Sequence, residues 1–383
     1  MAQQGCSEST HMQDVTPYRA EFPITESTVY LNHASVSPLP RRTARAMQQL
    51  AEDVMLHGLA HYPKWMEACV AVREAAARLM GCGSDEIAIT KNTSEGLSFI
   101  ANGLDWRPGD IVVGIRDEFP ANYFPWLRLE KRGVQMRWLD LKNGRIELDE
   151  IDKACAGARL LAVSFVQYLS GFRFDLDALG KICRRRDALL VIDGVQGLGP
   201  FPVDVKRSGI HALSASAHKW LLGPEGCGLL YIDRDLIPRV EPIEFGWTNV
   251  EGSHNYSHEP TLLPDARRYE CGTMNTMGYY GLRASLELFL EVGVENMAAQ
   301  VDRLAQRTLD WALAKGYEVM TPRNAGSGSG IVTIRKPGID SDATVQKLNE
   351  QGISTAPRFG WIRVAPHFYN TEEEIDTLLE RLP

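Results

Sequence analysis

The sequence lacks the features that would direct the chain into a membrane or out of the cell. No run approaches the roughly eighteen apolar residues that a membrane span needs. The first residues, MAQQGCSESTHMQDV, lack the basic and apolar regions of a secretory signal. The seven cysteines show no CxxC spacing, which favours reduced thiols in a cytoplasm over a disulfide framework or a zinc site. They are Cys6, Cys69, Cys82, Cys155, Cys183, Cys227 and Cys271.

An excess of positive charge is also missing. The formal net charge of −8 gives no electrostatic reason to bind nucleic acid or an anionic membrane. No GxGxxG motif follows an early strand, which argues against a nicotinamide-binding Rossmann enzyme. The 383 residues, of which 44% are hydrophobic and 23% charged, are typical of a soluble globular protein. A chain of this length predicts two domains, or one large domain with an appendage.

Short β-rich runs alternate with helical stretches over most of the chain. Runs such as EIAIT, DIVVGI, ALLVID and GCGLLYI are separated by stretches with helical periodicity, such as NTSEGLSFIANGL and LDALGKICRRRD. This alternation predicts a mainly parallel sheet with helices on both faces, hence an α/β fold. The runs IVTIR and WIRVAP and the helix TEEEIDTLLERL predict a smaller α+β unit, and RNAGSGSG predicts a loop before it.

The predicted organisation has three parts. Residues 1–25 form an N-terminal segment, residues 26–265 form a large α/β domain, and residues 266–383 form a small α+β domain that begins with a long linking helix. Ligands of open α/β sheets collect at the carboxyl ends of the strands. The polar side chains expected there are Thr93, Ser94, Glu95, Asp193, Gln196, Ser216, His218 and Lys219.

Each of these residues alone has an ordinary explanation. Thr93 or Ser94 could cap a helix, Asp193 could be a turn residue, and Lys219 could extend its amine to solvent. Together they provide a helix N-terminus for an anion, a deep carboxylate and a reactive amine. These parts fit pyridoxal phosphate, whose phosphate suits a helix N-terminus. Its ring nitrogen needs an acid, and its aldehyde needs a lysine.

Five motifs, in this order, carry a resemblance to a known family. They are NTSEGL, DEFPANYFPW, VIDGVQ, SASAHKWLLGPEGCGLLY and YECGTMNT. The chain resembles the fold-type I pyridoxal-phosphate enzymes of the class V aminotransferase family, which includes cysteine desulfurases, selenocysteine lyases, kynureninases and isopenicillin-N-epimerase-like proteins. The resemblance runs from VYLNHASVSPLP to YNTEEEID. It implies a large domain with a mainly parallel seven-stranded sheet and a smaller α+β C-terminal domain.

The resemblance implies a role for each candidate in holding the cofactor. Lys219 would form the Schiff base, Asp193 would pair with the pyridine nitrogen, and Gln196 would hydrogen-bond the phenolic oxygen. Phe119 would stack on the ring. The phosphate would be held by Ser94, Ser216 and His218, with Thr93 and the backbone around Glu95. Thr273 in ECGTMN would reach the phosphate of a neighbouring subunit, which implies a homodimer with shared active sites.

On the substrate side, Arg363 matches the family arginine that binds the substrate carboxylate, and its planar fork suits that task. Ala34 and Ser35 lie in the loop that approaches the substrate in this family. His33 is expected to be structural. Trp247 and Tyr123 could line the pocket or pack in the core.

Two departures from the family narrow the chemistry. Phe119 stands where cysteine desulfurases usually have a histidine, and a phenyl ring cannot transfer protons. The C-terminal stretch STAPRFGWIRVAPHFYNTEEEID is short and has no cysteine. A persulfide-forming desulfurase would therefore need Cys227 or Cys271, which are expected to be packed small residues.

The expected function is a pyridoxal-phosphate-dependent enzyme acting at Cα of a small amino acid, with Lys219 as the base. Transamination or a related lyase reaction ranks first, cleavage of a C–S or C–Se bond second, and epimerisation third. An idle pyridoxal-phosphate-binding regulatory protein is the alternative from another class. The expected location is the cytoplasm, with no nucleic-acid or membrane partner. The substrate side chain and the amino acceptor stay open.

Overall fold

The computed structural model describes residues 14–253, 258, 260–321 and 326–383. Cys6 and the first residues of the predicted loop RNAGSGSG lie outside the described residues. The described strands, in chain order, are β1 (Val29–Tyr30), β2 (Ile87–Thr90), β3 (Ile111–Ile115), β4 (Gln135–Leu139), β5 (Leu160–Ser164), β6 (Leu189–Asp193), β7 (Ala212–Ser216), β8 (Gly228–Ile232), β9 (Glu318–Val319), β10 (Val332–Arg335), β11 (Ile353–Ser354), β12 (Ala356–Arg358) and β13 (Trp361–Val364).

The helices correspond to the stretches with helical periodicity. They are α1 (Arg41–His57), α2 (Tyr62–Met80), α3 (Thr93–Gly103), α4 (Phe124–Leu127), α5 (Leu148–Ala154), α6 (Leu176–Arg186), α7 (Thr276–Val292), α8 (Val294–Ala314), α9 (Ser341–Glu350) and α10 (Glu372–Arg381). None of these helices combines the length and apolar character that crossing a bilayer would require.

The large sheet has seven strands in the order β2-β8-β7-β6-β5-β3-β4. Strand β8 is antiparallel to both of its neighbours, and the other pairs are parallel. Every strand except β8 therefore runs in one direction, so their carboxyl ends meet at one edge, where ligands of such sheets bind. The predicted α/β fold with a mainly parallel seven-stranded sheet is confirmed.

The central strands are buried on both faces, which explains why they read as almost continuous apolar runs. In β6, Leu190 and Ile192 belong to one apolar cluster, and Leu189 and Val191 belong to the other. This alternation follows from the two-residue period of a strand. Helices α2, α6 and α7 contribute to the first cluster, and α3 contributes to the second. The sheet is thus the middle of three layers.

The C-terminal part contains a four-stranded antiparallel sheet, in the order β12-β13-β10-β9, and β11 pairs in parallel with β1. A third apolar cluster lies beneath them. In the predicted partition, β1 belongs to the large domain, yet its register pairs Val29 with Ile353 and Tyr30 with Ser354. After β1 the chain passes from the C-terminal unit to the large sheet, where the Ser37 N–H donates to the His218 carbonyl oxygen beyond the end of β7. The domain boundaries themselves stay a prediction.

Candidate active site

The lysine that follows β7 is enclosed by the ends of the central strands. Lys219 lies in a turn that the Leu222 N–H closes by donating to the Lys219 carbonyl oxygen, at 3.0 Å. Burial lowers the pKa of Lys219 to about 8, although the negative charge of Asp193 opposes this change. A lysine with that pKa is partly neutral near physiological pH, so its amine can act as a nucleophile or a base.

Strand β6 ends at a carboxylate that is removed from solvent. Asp193 is 1% exposed, and its Oδ1 accepts a hydrogen bond from the Val195 N–H at 3.0 Å. Burial raises the pKa of Asp193 to about 6, while that hydrogen bond and the charge of Lys219 act to lower it. The structure therefore brings the predicted acid and the predicted amine together. Such a carboxylate can also stabilise a protonated ring nitrogen.

The start of α3 is tied to the end of β7. The Thr93 N–H donates to Ser216 Oγ at 2.8 Å, and the Ser216 N–H donates to Thr93 Oγ1 at 2.9 Å. A Cβ on Gly96 would lie 2.3 Å from Ser214 Oγ, so a glycine at this position lets the helix approach the strand. The helix N-terminus is thereby held beside the end of β7, an arrangement that suits a phosphate group.

The cap of α3 is Asn92, rather than the Thr93 or Ser94 that the sequence allowed. Asn92 Oδ1 accepts from the Glu95 N–H at 3.0 Å, and Glu95 Oε2 accepts from the Lys91 N–H at 2.6 Å. The Glu95 amide, expected to face the phosphate, is therefore used by the cap. Ser94 is exposed in the first turn of α3.

His218 lies between the lysine turn and the N-terminal loop. Burial, followed by the charge of Lys219, lowers the pKa of His218, so its ring is neutral at physiological pH. Its carbonyl oxygen accepts from the Ser37 N–H at 2.8 Å. A neutral imidazole at this place can still donate one hydrogen bond to an anion.

Gln196 connects the central sheet to the loop that follows β1. Its Nε2 donates to the Ala34 carbonyl oxygen at 3.1 Å, and its Oε1 accepts from Trp220 Nε1 at 2.7 Å. Gln196 and Ala34 are both buried. The predicted cofactor contact thus also positions the predicted substrate loop.

Two arginines converge on Ser35. Its Oγ accepts from Arg363 Nη2 at 2.8 Å and from Arg358 Nη2 at 3.0 Å. Burial, and next the charge of Arg358, lower the pKa of Arg363 to about 9. Arg363 Nε is buried without a hydrogen-bond partner, and neither guanidinium pairs with a carboxylate among the described residues. The guanidinium groups of Arg358 and Arg363 can therefore bind an anion.

Arg358 was missed in the sequence, although a signal for it exists. The register of the β12–β13 hairpin pairs Ala356 with Arg363 and Arg358 with Trp361. Paired residues of an antiparallel hairpin share a face, and so do residues two apart in one strand. Arg358 and Arg363 therefore point to the same side. The sequence signal is an arginine on each side of a two-residue turn, at positions whose side chains a hairpin places on one face.

Glu118 was also missed. It follows β3, and its Oε1 accepts from the Ser164 N–H at 2.7 Å, which ties it to the end of β5. Burial raises the pKa of Glu118 to about 7, against the lowering effect of the Ser164 hydrogen bonds. Glu118 thereby holds the ends of β3 and β5 together, next to Asp193 at the end of β6.

Phe119 faces the reactive amine. Its ring centroid is 5.2 Å from Lys219 Nζ, and it meets the ring of Tyr168 edge to face at 5.5 Å. The Tyr168 carbonyl oxygen accepts from Arg363 Nη1 at 2.9 Å. The aromatic ring, the amine and the guanidinium therefore border one space. Phe119 is 43% exposed, so its face is accessible to a flat ligand.

The remaining aromatic candidates have different surroundings. Tyr123 stacks on Trp138, with centroids 4.3 Å apart, and Trp247 is exposed. His33 is fully buried. Its ring nitrogens lie 2.7 Å from the Ala365 carbonyl oxygen and 2.7 Å from the Tyr369 hydroxyl, which accounts for a structural role.

Thr273 and Cys271 line a second cleft, together with Lys91 and Glu95. Thr273 is exposed there. Cys271 Sγ donates to Glu244 Oε2 at 3.3 Å, and burial raises the pKa of Cys271. Burial also raises the pKa of Cys227, to about 12. Both thiols are therefore protonated at physiological pH.

Comparisons with known proteins identify a matching family model and similar structures. A family model described as aminotransferase class-V matches residues 29–378. A probable cysteine desulfurase from Pyrococcus abyssi is 29% identical over 94% of this chain and 95% of its own. The apo structure of a cysteine desulfurase from Thermococcus onnurineus superposes with a TM-score of 0.89 at 27% identity, covering 97% of both chains. A lysine-to-alanine mutant of C-DES, a cystine C–S lyase, has glycine covalently linked to its pyridoxal-phosphate cofactor. Its structure has a TM-score of 0.88 over 96% of this chain and 99% of its own, and at 24% identity it shows the fold alone.

Proposed function

We propose that this chain, which belongs to the class V aminotransferase family, breaks the C–S bond of an L-cysteine derivative. Members of this family use pyridoxal phosphate, and the chain is an enzyme of that class. The observation that carries the proposal is the convergence of a partly neutral lysine, a buried acid and an anion-binding arginine around one space. The name of the P. abyssi relative, a probable cysteine desulfurase, supports sulfur as the leaving atom.

The residues fit pyridoxal phosphate. The Asp193 carboxylate uses Oδ1 for the Val195 amide and can offer Oδ2 to a ring nitrogen. The start of α3, which hydrogen bonds link to the end of β7, suits the phosphate. Ser94, Thr93, Ser216 and His218 would bind it. When bound, the cofactor withdraws electrons from the substrate Cα.

Each side chain has a role in the proposal. Lys219 holds the aldehyde carbon, and its amine, once released, removes the proton from the substrate Cα. Asp193 keeps the ring nitrogen protonated, and Gln196 faces the phenolic oxygen. Arg363 binds the α-carboxylate, displacing the Ser35 hydroxyl. Phe119 packs on the ring face.

The proposed reaction is a β-elimination. The substrate R–S–CH₂–CH(NH₃⁺)–COO⁻ and one water give the thiol R–SH, pyruvate and ammonium. The Cα proton goes to Lys219, and the electron pair of the broken C–S bond leaves with the sulfur. Water then releases the nitrogen as ammonium, so no external oxidant or reductant is required.

A desulfurase that stores sulfur as a persulfide on its own chain is the second candidate, because the P. abyssi relative bears that name. That chemistry needs an ionised cysteine at the substrate sulfur. The last cysteine of the chain is Cys271, and burial keeps both Cys227 and Cys271 protonated. These thiols therefore favour elimination over persulfide formation.

Serine in place of Cys227 or Cys271 should leave turnover within about threefold, because neither thiol is ionised. Incubation with L-cysteine should give sulfide, pyruvate and ammonium, and no persulfide on the chain. Mass spectrometry of the intact protein and of its peptides, including the one with Cys6, checks this. A trapped persulfide with alanine as product would instead establish a desulfurase. Oxo acid without thiol release would indicate a transaminase, and racemised substrate an epimerase.

Arg363→Ala should raise the KM for the amino acid by about 30-fold or more, because removing one partner of a desolvated charge pair costs on the order of 2–5 kcal/mol. The KM of Arg363→Lys should lie between those of the wild type and Arg363→Ala, because an ammonium keeps the charge but cannot form the bidentate contact. Arg307→Ala, which removes an exposed arginine bound to Asp376 and Glu372, is the matched control. An unchanged KM in Arg363→Ala would show that the arginine serves the fold only.

We further propose a cytoplasmic homodimer. Thr273 is exposed in the loop before α7 and would reach the phosphate site of a second copy. The exposed apolar side chains Met55, Leu56 and Leu59 at the end of α1 provide surface that a second copy could cover. The described cysteines are free thiols, in keeping with a reducing compartment.

Thr273→Ala should weaken cofactor retention by about tenfold, because one hydrogen bond to a charged phosphate is lost. Dialysis followed by the absorbance of bound cofactor measures the loss. Thr377→Ala on α10, which removes an exposed hydroxyl bonded to its own helix, should have no effect. Sedimentation of a fully active monomer would contradict the shared site.

A further inference from the structure

A cavity of about 1040 Å³ lies between the edge of the large sheet and the four-stranded sheet. Its walls come from four parts of the chain. They are residues 116–120, residues 141, 143 and 144, residues 167–170, and the C-terminal residues 319, 320, 335, 358, 359 and 361. Pockets for drug-sized ligands measure about 300–1,000 Å³. The volume therefore far exceeds what the side chain of cysteine needs.

This cavity shares wall residues with the reactive site, among them Phe119, Tyr168 and Arg358. Phe119 faces Lys219 Nζ at 5.2 Å, Tyr168 binds Arg363 through its carbonyl oxygen, and Arg358 binds Ser35 beside Arg363. A substrate held by its carboxylate on Arg363 has this cavity as the adjoining space for its side chain.

The walls are largely aromatic and apolar, and their charged side chains include the carboxylates of Asp117 and Glu118 as well as three arginines. Phe119, Tyr168, Phe359 and Trp361 line the cavity with Leu141, Leu169 and Met320. Arg116 pairs with Asp140 and Arg335 pairs with Glu318. Arg358 is the lining arginine that has no carboxylate partner among the described residues. One α-carboxylate balances Arg363 and leaves Arg358 for a second anion.

The rim carries backbone strain. Strands β12 and β13 are joined by Phe359 and Gly360, with φ of +52° and +79°. A two-residue turn with two positive φ values ordinarily has Asn-Gly. A bulky residue with positive φ is a backbone outlier, of the kind that clusters at functional sites. Phe359 is nevertheless 77% exposed, so its ring gains little from packing.

We infer that this cavity binds the sulfur substituent of the substrate, and that this substituent is a large aromatic group bearing an anion. The inference rests on the proposed C–S lyase function and names its substrate class. Phe359 closes over the aromatic group at the rim, and Arg358 binds its anion.

The test compares three substrates of the holoenzyme. They are S-methyl-L-cysteine, S-benzyl-L-cysteine and S-(4-carboxybenzyl)-L-cysteine. Release of thiol should show kcat/KM rising by about tenfold or more at each step, because a filled apolar pocket and a paired charge each discriminate by at least that factor. An equal or greater kcat/KM for S-methyl-L-cysteine would overturn the inference, and equal values for the two benzyl substrates would overturn its anionic part.

Phe359→Asn separates binding from folding. Asparagine suits the turn, so the melting temperature should stay or rise, while kcat/KM for both benzyl substrates should fall by about tenfold. S-methyl-L-cysteine should change by less than about threefold, because its substituent does not reach the rim. Phe124→Asn, which changes another exposed phenylalanine, is the matched control. Equal loss for all three substrates would contradict a role in substituent binding.

Unreactive analogues distinguish this inference from the proposed function. The propanoates that lack the α-amino group, 3-(methylthio)propanoate, 3-(benzylthio)propanoate and 3-(4-carboxybenzylthio)propanoate, retain the carboxylate and the substituent. Calorimetry with the holoenzyme should give the same order of affinity. If that order holds and no conjugate releases thiol, the cavity assignment stands and the C–S lyase function fails. If the methyl analogue binds as tightly as the others, the cavity assignment fails even if thiol is released.

Discussion

Lys219→Ala is expected to reduce turnover by about a thousandfold or more, because it removes both the nucleophile for the cofactor aldehyde and the base for the Cα proton. The fold should survive, since the turn is closed by a backbone hydrogen bond from the Leu222 N–H to the Lys219 carbonyl oxygen. Borohydride reduction of the wild-type holoenzyme, followed by peptide mass spectrometry, should find the cofactor on Lys219.

The pH dependence of cofactor uptake tests the same residue. Burial lowers the pKa of Lys219 to about 8, and only the neutral amine reacts with the aldehyde. The rate of reconstitution of the apo-protein should therefore rise through about pH 8, well below the ordinary lysine value. Lys153→Ala, at an exposed position in the last turn of α5, is the matched control. A midpoint near pH 10, or a label on another lysine, would reject the assignment.

Asp193→Asn should lower turnover by about 100-fold or more, because the neutral amide cannot keep the ring nitrogen protonated. Exchange of the substrate Cα proton with deuterated water measures the affected step directly and should fall by a similar factor. Retained solubility and melting temperature would show that the loss lies in the chemistry.

Asp187→Asn is the control for the aspartate. It changes an exposed aspartate at the end of α6 whose φ is +53°, a conformation that asparagine also adopts. Turnover and exchange should match those of the wild type. Wild-type exchange in Asp193→Asn would reduce Asp193 to a turn residue.

Much of the fold could be predicted from local patterns. Apolar runs and helical periodicity identified the strands of the large sheet and the helices that cover them, because both signals depend on neighbours in sequence. Lys219 and Asp193 could be proposed from the sequence because one follows a recognisable buried strand and the other ends one. The pairing of β1 with β11 was not found, since a two-residue strand has no periodicity and its partner lies at the other end of the chain.

The missed parts of the site differ in what would have revealed them. The cap of α3 had a local signal, because Asn92 is a preferred capping residue and Glu95 follows three residues later. Glu118 is notable only because Ser164 lies against it. Arg358 required the register of a hairpin rather than its composition.

The pairing of β1 with β11 sets an order for synthesis on the ribosome. Lys219, Asp193 and the seven strands of the large sheet have all been translated once β8 is complete. The loop with Ser35 cannot form its contacts at that stage, because the strand that pairs with β1 and both arginines are translated later. A nascent chain can thus expose a reactive amine to cofactor before it can hold an amino acid. If Arg363 binds the substrate as proposed, the substrate site can form only after β13 has been translated.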